Sequence, residues 1–253
     1  MKIVRFATDD KVNYGILNGE SIQRIEDKPY RRIKPTNPYY ALSEVKLLPP
    51  CTPSKIVALG LNYHSHAEEV KAHLPNAPLI FLKPSTAVIG PEDNITYPST
   101  SHRVDYEGEL GVVIKKPVWR VSPEDALDYV LGYTCFNDVT ARDLQGIDKQ
   151  WTRAKGFDTF AAIGPCIETA LDPGNVTLET YLNGELKQQA NTGDLIYALP
   201  ELINFISNVM TLLPGDIIAT GTPSGIGPMY PGDTVEIKIA PIGTLRNYVV
   251  KNN

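Results

Sequence analysis

The chain has 253 residues, 42% of them hydrophobic, and a mean hydropathy of −0.17, enough to bury a full core as one large domain or one plus a small appendage. Its 29 acidic against 24 basic side chains give a formal net charge of −5, which argues against nucleic acid, because phosphate neutralisation needs a face dense in Lys and Arg. No segment approaches the length needed to span a bilayer, and the start MKIVRFATDD lacks a basic region followed by an apolar stretch. Cys51, Cys135 and Cys166 form an odd, widely spaced set without CxxC, so a cytoplasmic protein with reduced thiols is expected.

No internal repeat or low-complexity tract is present, and 21 prolines and 19 glycines punctuate short β-branched runs, which predicts a mostly β fold with tight turns. Residues 3 to 24 read as a small meander, with Asn18-Gly19 supplying a two-residue hairpin loop. A Pro-containing stretch from Lys34 to Pro53 links this module, residues 1–50, to the remainder, residues 51–253. A strand is expected at Ile56 to Gly60, another through Glu107, and a helix opening at Ser122-Pro123-Glu124-Asp125, where Ser caps and Pro takes the first turn. Strands follow near Tyr129 to Asp138 and Phe160 to Glu168, then a hairpin at Asn183-Gly184 and a helix over about Pro200 to Met210. Strands at Asp216 to Thr220, Thr234 to Ile239 and Leu245 to Val250 close the chain.

The run Asp105 to Ile114, DYEGELGVVI, places Glu107 and Glu109 at i and i+2 leading into an apolar strand, and alternate residues of a strand share a face. Two carboxylates on one half-buried face repel and lose hydration, so both stay ionised only with a cation between them, most simply a metal. The plainer alternative is two solvated glutamates on an edge strand. Asp138, at the end of an apolar strand, completes an all-oxygen set suited to Mg²⁺ or Mn²⁺, with Ca²⁺ if the site is loose; read alone it is a turn residue. After the Ile56–Gly60 strand comes LNYHSHAEE, where a helical turn brings His66 and Glu69 together at i, i+3. The carboxylate then fixes one imidazole nitrogen and makes the other an oriented base. His64 and Glu68 are the internal controls for that reading. The segment Asn62 to Pro78, with His64, His66 and His73 and prolines at its end, is expected to bury little apolar area and to act as a mobile lid. The glycine-rich Gly221 to Gly227 lacks the lysine of a P-loop and contains Pro223, so it is not a nucleotide loop. Cys135, within an apolar run, reads as core.

Five ordered motifs together resemble the fumarylacetoacetate hydrolase superfamily over roughly residues 51 to 250: Asn62-Tyr63 with His66 and Glu69, DYEGEL from Asp105, NDVTARDLQ from Asn137, Lys155 within RAKGFD, and GTPSGIG from Gly221. The resemblance implies an α+β, mostly β fold, a rolled mixed sheet or pseudo-barrel with a few short helices, pairing into homodimers. It implies Glu107, Glu109 and Asp138 as ligands of Mg²⁺ or Mn²⁺, a His66–Glu69 dyad on a lid with Lys155 beside the chemistry, and Arg142, Gln145, Thr222 and Tyr63 around the substrate. Leu61 and His64 stand where members of the family often carry basic residues, which leaves substrate identity open. The expected reaction is hydrolysis of a C–C bond in a 2-oxo acid bearing a second carbonyl, through a metal-bound enolate. Alternatives are decarboxylation of an oxaloacetate-like acid, keto–enol isomerisation of an unsaturated hydroxy-dioate, and a non-catalytic binding module.

Overall fold

A computed structural model describes residues 1–8 and 11–252. Short, β-branched and mostly apolar runs assemble into a rolled large sheet and two smaller ones. Along the large sheet the order is Pro35–Ala41, Ser21–Ile25, Val12–Asn18, Lys2–Ala7, Ala161–Glu168, Val130–Asp138, Gly108–Ile114, Ile217–Ala219, Ile56–Gly60 and Leu79–Lys83. Most pairs are antiparallel, but Ile217–Ala219 and Ile56–Gly60 run parallel. A five-stranded sheet, from Glu185–Asn191 through Thr177–Leu182, Thr234–Ile239 and Gly243–Lys251 to Asn94–Tyr97, packs on one face. Both faces of the central strands are covered. Leu110, Val112 and Ile114 join Leu178, Ile237 and Leu245 on one side, while Val113 joins Ile56, Ile163 and Ile217 on the other. This double burial explains why Leu110–Ile114 reads as a continuous apolar run.

The first fifty residues do not stand apart from this sheet: Lys2 and Ile3 pair with Glu168 and Ile167, and the Met1 ammonium lies 2.5 Å from Glu168 Oε1. Two expectations need correction. The hairpin after Val12–Asn18 turns on Gly19-Glu20, one residue later than predicted, with only Gly19 at positive φ, because Asn18 is used in the ladder opposite Ser21. The Asn183-Gly184 hairpin forms as read, both residues at positive φ between Leu182 and Glu185. No α-helix opens at Ser122. Its hydroxyl accepts from Asp125 N at 3.4 Å, and only a single 3-10 turn follows at Ala126–Tyr129, because Val130 already enters the central sheet. The other predicted helix is present as Leu199–Val209. No helix among the described residues is long and apolar enough to cross a membrane.

Candidate functional site

Glu107 sits where the chain leaves the three-stranded sheet (Val104–Tyr106 with Gly227–Met229 and Thr140–Ala141) for the large one, so the expected single strand through both glutamates is interrupted. Its backbone is held instead by Asn137, whose Oδ1 accepts from Glu107 N at 3.0 Å, and by Asp138 N, which donates to Glu107 O at 2.8 Å. The carboxylates still converge: one oxygen from each of Glu107, Glu109 and Asp138 lies within 4.8 Å of the others, and all three residues are buried. The glycine between the glutamates admits the neighbouring sheet, since a Cβ on Gly108 would stand 2.1 Å from Thr180 Oγ1.

Cations from the chain itself compensate much of this charge. Lys155 Nζ lies 2.7 Å from Glu107 Oε2 and 2.6 Å from Asp138 Oδ2, and Lys83 Nζ is 2.5 Å from Asp138 Oδ1. Arg142 donates Nη2 to Glu107 Oε1, Nε to Asp105 Oδ2 at 2.9 Å and Nη1 to Gln145 Oε1 at 2.7 Å. Burial alone would raise the Glu107 carboxyl, but Lys155 and Arg142 outweigh it and hold it at about 2. Glu109 has no such cation in contact. Burial first, then the charges of Asp138 and Glu107, push its carboxyl well above the usual range. Burial likewise lowers the Lys83 ammonium, against the pull of Asp138, whereas Asp138 and Glu107 overcome burial at Lys155 and raise it.

A hard divalent ion fits these donors. Glu109 Oε2 accepts from Gly221 N at 2.9 Å, but Oε1 is buried without any partner. The oxygens of Glu107 and Asp138 that already accept one hydrogen bond each retain a lone pair. An all-carboxylate set with one bare oxygen suits Mg²⁺ or Mn²⁺ and does not suit a soft metal.

The dyad is built as the spacing predicts. Helix His64–Glu69 brings His66 Nδ1 to 2.9 Å from Glu69 Oε2, and Glu69 Oε1 accepts from Gly225 N at 2.9 Å. The loop 221–227 therefore grips the carboxylate cluster through Gly221 and the dyad through Gly225. Gly221 is required there: its φ is +97°, and a Cβ would stand 2.8 Å from Asn62 Cβ. Thr222 donates to Gly108 O and accepts from Gln188 Nε2, both at 2.9 Å. Tyr63 is fully buried with its hydroxyl unpartnered, and burial together with the charges of Glu109 and Asp194 raises that phenol.

The expectation that the whole of residues 62–78 buries little is corrected. Asn62, Tyr63, His66 and Ala67 are buried, and Asn62 bonds Tyr197 N and Thr220 O through its side-chain amide. His64 is exposed and Ser65 half-exposed, and from residue 68 to 78 every position is exposed or half-exposed. Lys83 and Asp105 were missed by sequence reasoning. Lys83 ends the apolar strand Leu79–Lys83, and an ionisable residue closing such a run was the available signal. Asp105, fully buried, receives Arg103 two residues away and also Arg142, and the latter pairing no local spacing reveals.

Comparison with known proteins identifies the family of this fold. The profile described as fumarylacetoacetate (FAA) hydrolase C-terminal matches residues 55–250, and one described as Rv2993c-like, N-terminal, matches residues 1–50. The solved 5-carboxymethyl-2-hydroxymuconate delta-isomerase of Mycobacterium smegmatis superposes with a TM-score of 0.95 at 43% identity, covering 100% of both chains. The oxaloacetate tautomerase YisK of Bacillus subtilis is 45% identical over 82% of this chain and 75% of its own length. A maleylpyruvate hydrolase of a Sphingobium species, solved with manganese(II) and pyruvate, has a TM-score of 0.84 at 32% identity, again over 100% of both chains.

Proposed function

Because the chain belongs to the fumarylacetoacetate hydrolase family, we propose that it acts on a small 2-oxo acid with a second carbonyl or carboxylate and moves a proton between its keto and enol forms. The observation that carries this reading is the tie through one loop between an oriented base and a buried carboxylate cluster, Gly225 N on Glu69 and Gly221 N on Glu109. Glu69 as a carboxylate fixes the Nδ1 proton of His66, leaving Nε2 with a free lone pair. Nε2 removes a proton from the carbon between the two carbonyl groups, and the proton returns to the enolate oxygen, so the step is a net isomerisation. Mg²⁺ or Mn²⁺ held by Glu107, Glu109 and Asp138 supplies Lewis-acid polarisation of the 2-oxo group.

The remaining residues orient and bind. Lys155, between Glu107 and Asp138, adds positive charge where the enolate forms. The Arg142–Gln145 pair faces the substrate's carboxylate end, and Thr222 fixes the position of the 221–227 loop against Gly108. The Tyr63 phenol, buried with its hydroxyl unpartnered, is free to donate to a bound substrate.

C–C hydrolysis is the second reading, since the same base can deprotonate water that attacks the distal carbonyl. The relatives named isomerase and tautomerase are 43% and 45% identical, while solved structures named fumarylacetoacetate or maleylpyruvate hydrolase are 32–33% identical, and this favours proton transfer. The test is NMR of the Mg²⁺-loaded protein in D₂O with oxaloacetate, acylpyruvates and hydroxymuconate-type dioates. Accelerated keto–enol exchange without pyruvate or CO₂ is the expected result. Acylpyruvate cleavage without accelerated isomerisation establishes the hydrolase reading instead, and no turnover of any of them overturns this substrate class.

A further inference from the structure

The loop carrying Lys28 to Lys34 and the turn Lys115 to Pro117 face each other across a cleft of about 890 Å³. It lies at the far end of the central strands from the carboxylates: strand Gly108–Ile114 begins beside Glu109 and ends one residue before Lys115. Six residues of extended chain separate the two ends by about 20 Å.

Six cationic side chains line the cleft, Lys28, Arg31, Arg32, Lys34, Lys115 and Lys116, against two acids, Glu26 and Asp27. The chain as a whole has more acids than bases and a net charge of −5, so these charges are sorted, not sampled. Of the six, only Lys34 is in an ion pair among the described residues, 2.7 Å from Glu26. Lys116 is steered by the Tyr129 ring, 4.1 Å from its Nζ. Like charges lining one cleft repel one another, and an anion between them relieves that repulsion.

The other walls are apolar and firmly held. Pro117, Pro214 and half-buried Tyr30 complete the lining. The Tyr30 hydroxyl turns inward against Gly215, where a Cβ would stand 2.7 Å away. The turn at Pro214 is pinned by Asp216, which accepts from Leu213 N, Ser54 N and Oγ, and Lys55 Nζ. A concave site of this volume suits a small molecule, and two adjacent arginines suit phosphate or carboxylate forks.

We propose that this cleft binds a small organic polyanion, its phosphate or carboxylate groups among Arg31, Arg32, Lys115 and Lys116 and a flat apolar part against Tyr30 and the prolines. The test is calorimetric titration of the full chain, free of divalent ions, with ATP, sodium tripolyphosphate and citrate. One equivalent is expected to bind, more weakly as salt rises, with ATP tighter than tripolyphosphate. The double variant Arg31→Glu/Arg32→Glu is expected to lose about tenfold or more in affinity at unchanged melting temperature, while Lys251→Glu, outside the cleft, leaves binding unchanged. Absence of binding up to millimolar ligand, or undiminished binding by the double variant, overturns the proposal. Equal affinity for ATP and tripolyphosphate keeps the anion site and overturns the role given to the apolar walls.

Discussion

Glu109 and Gly221 share a single hydrogen bond, 2.9 Å from the backbone N–H to Oε2, and it leaves Glu109 Oε1 as a bare acceptor inside the protein. A buried carboxylate so placed opposes folding when ionised and welcomes a divalent ion.

The first prediction follows from the sign of that effect. The folded-state carboxyl of Glu109 titrates above its ordinary 4.5, so its penalty is absent well below 4.5, grows as pH rises above it and is complete once pH passes the raised folded value. Without divalent ions, Glu109→Gln is expected to melt higher than the parent, by about 2–4 °C per kcal/mol relieved, and by more at pH 8 than at pH 5. Mg²⁺ or Mn²⁺ is expected to raise the melting temperature of the parent and to do so far less in the variant. A variant that melts lower than the parent at pH 8 without metal would refute this account.

His66 and His64 separate the oriented base from its neighbour. His66 is buried and bonded to Glu69, whereas His64 is exposed on the same helix. Replacing His66 with Ala is expected to lower kcat by about 10²- to 10⁴-fold with metal-induced stabilisation intact, and His64→Ala by much less. Steady-state kinetics on the best substrate decides; equal losses would mean that only the loop's shape matters.

The glutamate pair and the dyad were legible because both depend on local periodicity, i, i+2 in a strand-like run for Glu107 and Glu109 and i, i+3 in a helix for His66 and Glu69, whereas Asp138 was reached from its place at a strand end and from the family motif. The sequence did not carry the strand break at Glu107, which depends on Tyr106 pairing with Gly227 while Gly108 pairs with Asn137. Nor did it carry the ion pairs of Lys83 and Asp105, which join residues 55 and 37 positions apart. The missed 3-10 turn at Ala126–Tyr129 is a case in which good capping residues lost to a strand that starts four residues later.

Gly108 tests the close approach of the two sheets. Ala at this position would place Cβ against Thr180 Oγ1, itself buried without a partner, so Gly108→Ala is expected to cost about 1–3 kcal/mol. Thr180→Ala removes the obstacle and leaves no donor stranded, so the double variant is expected to recover most of the loss. Urea unfolding of the four proteins checks it; additive losses would place the strain elsewhere.

Asp216 makes a prediction about acid stability. Burial would raise its carboxyl, but hydrogen bonds from Lys55, Ser54 and Leu213 hold it below the ordinary 3.8. Its contribution is therefore complete above that pH and is lost as pH falls through the lower folded value. Asp216→Asn is expected to cost about 1.5–3 kcal/mol at pH 7, a difference that stays flat down to about pH 5 and narrows only below pH 4. Denaturant melts across this range test it, and a gap that narrows already between pH 8 and 6 would contradict the assignment.

Closure of the site rests on a segment with two unlike halves. Residues 62–67 are anchored: Asn62 bonds across to Tyr197 and Thr220, and Ala67 N donates to Tyr63 O at 3.0 Å. Residues 68–78 are mostly exposed, and their tether to the rest is Glu69 on Gly225 N and Pro75 O on the Tyr197 hydroxyl. Few buried contacts mean low local opening free energy, so this half should exchange its amides quickly while the anchored half does not. Oxalate is planar and dianionic like an enolised 2-oxo acid, and with Mg²⁺ it presents charge to the dyad's side of the site. Hydrogen exchange is therefore expected to slow over residues 68–78 on adding Mg²⁺ and oxalate, with little change over 62–67. Unchanged exchange over 68–78 would show that the dyad is fully built beforehand and that no lid closes on the substrate.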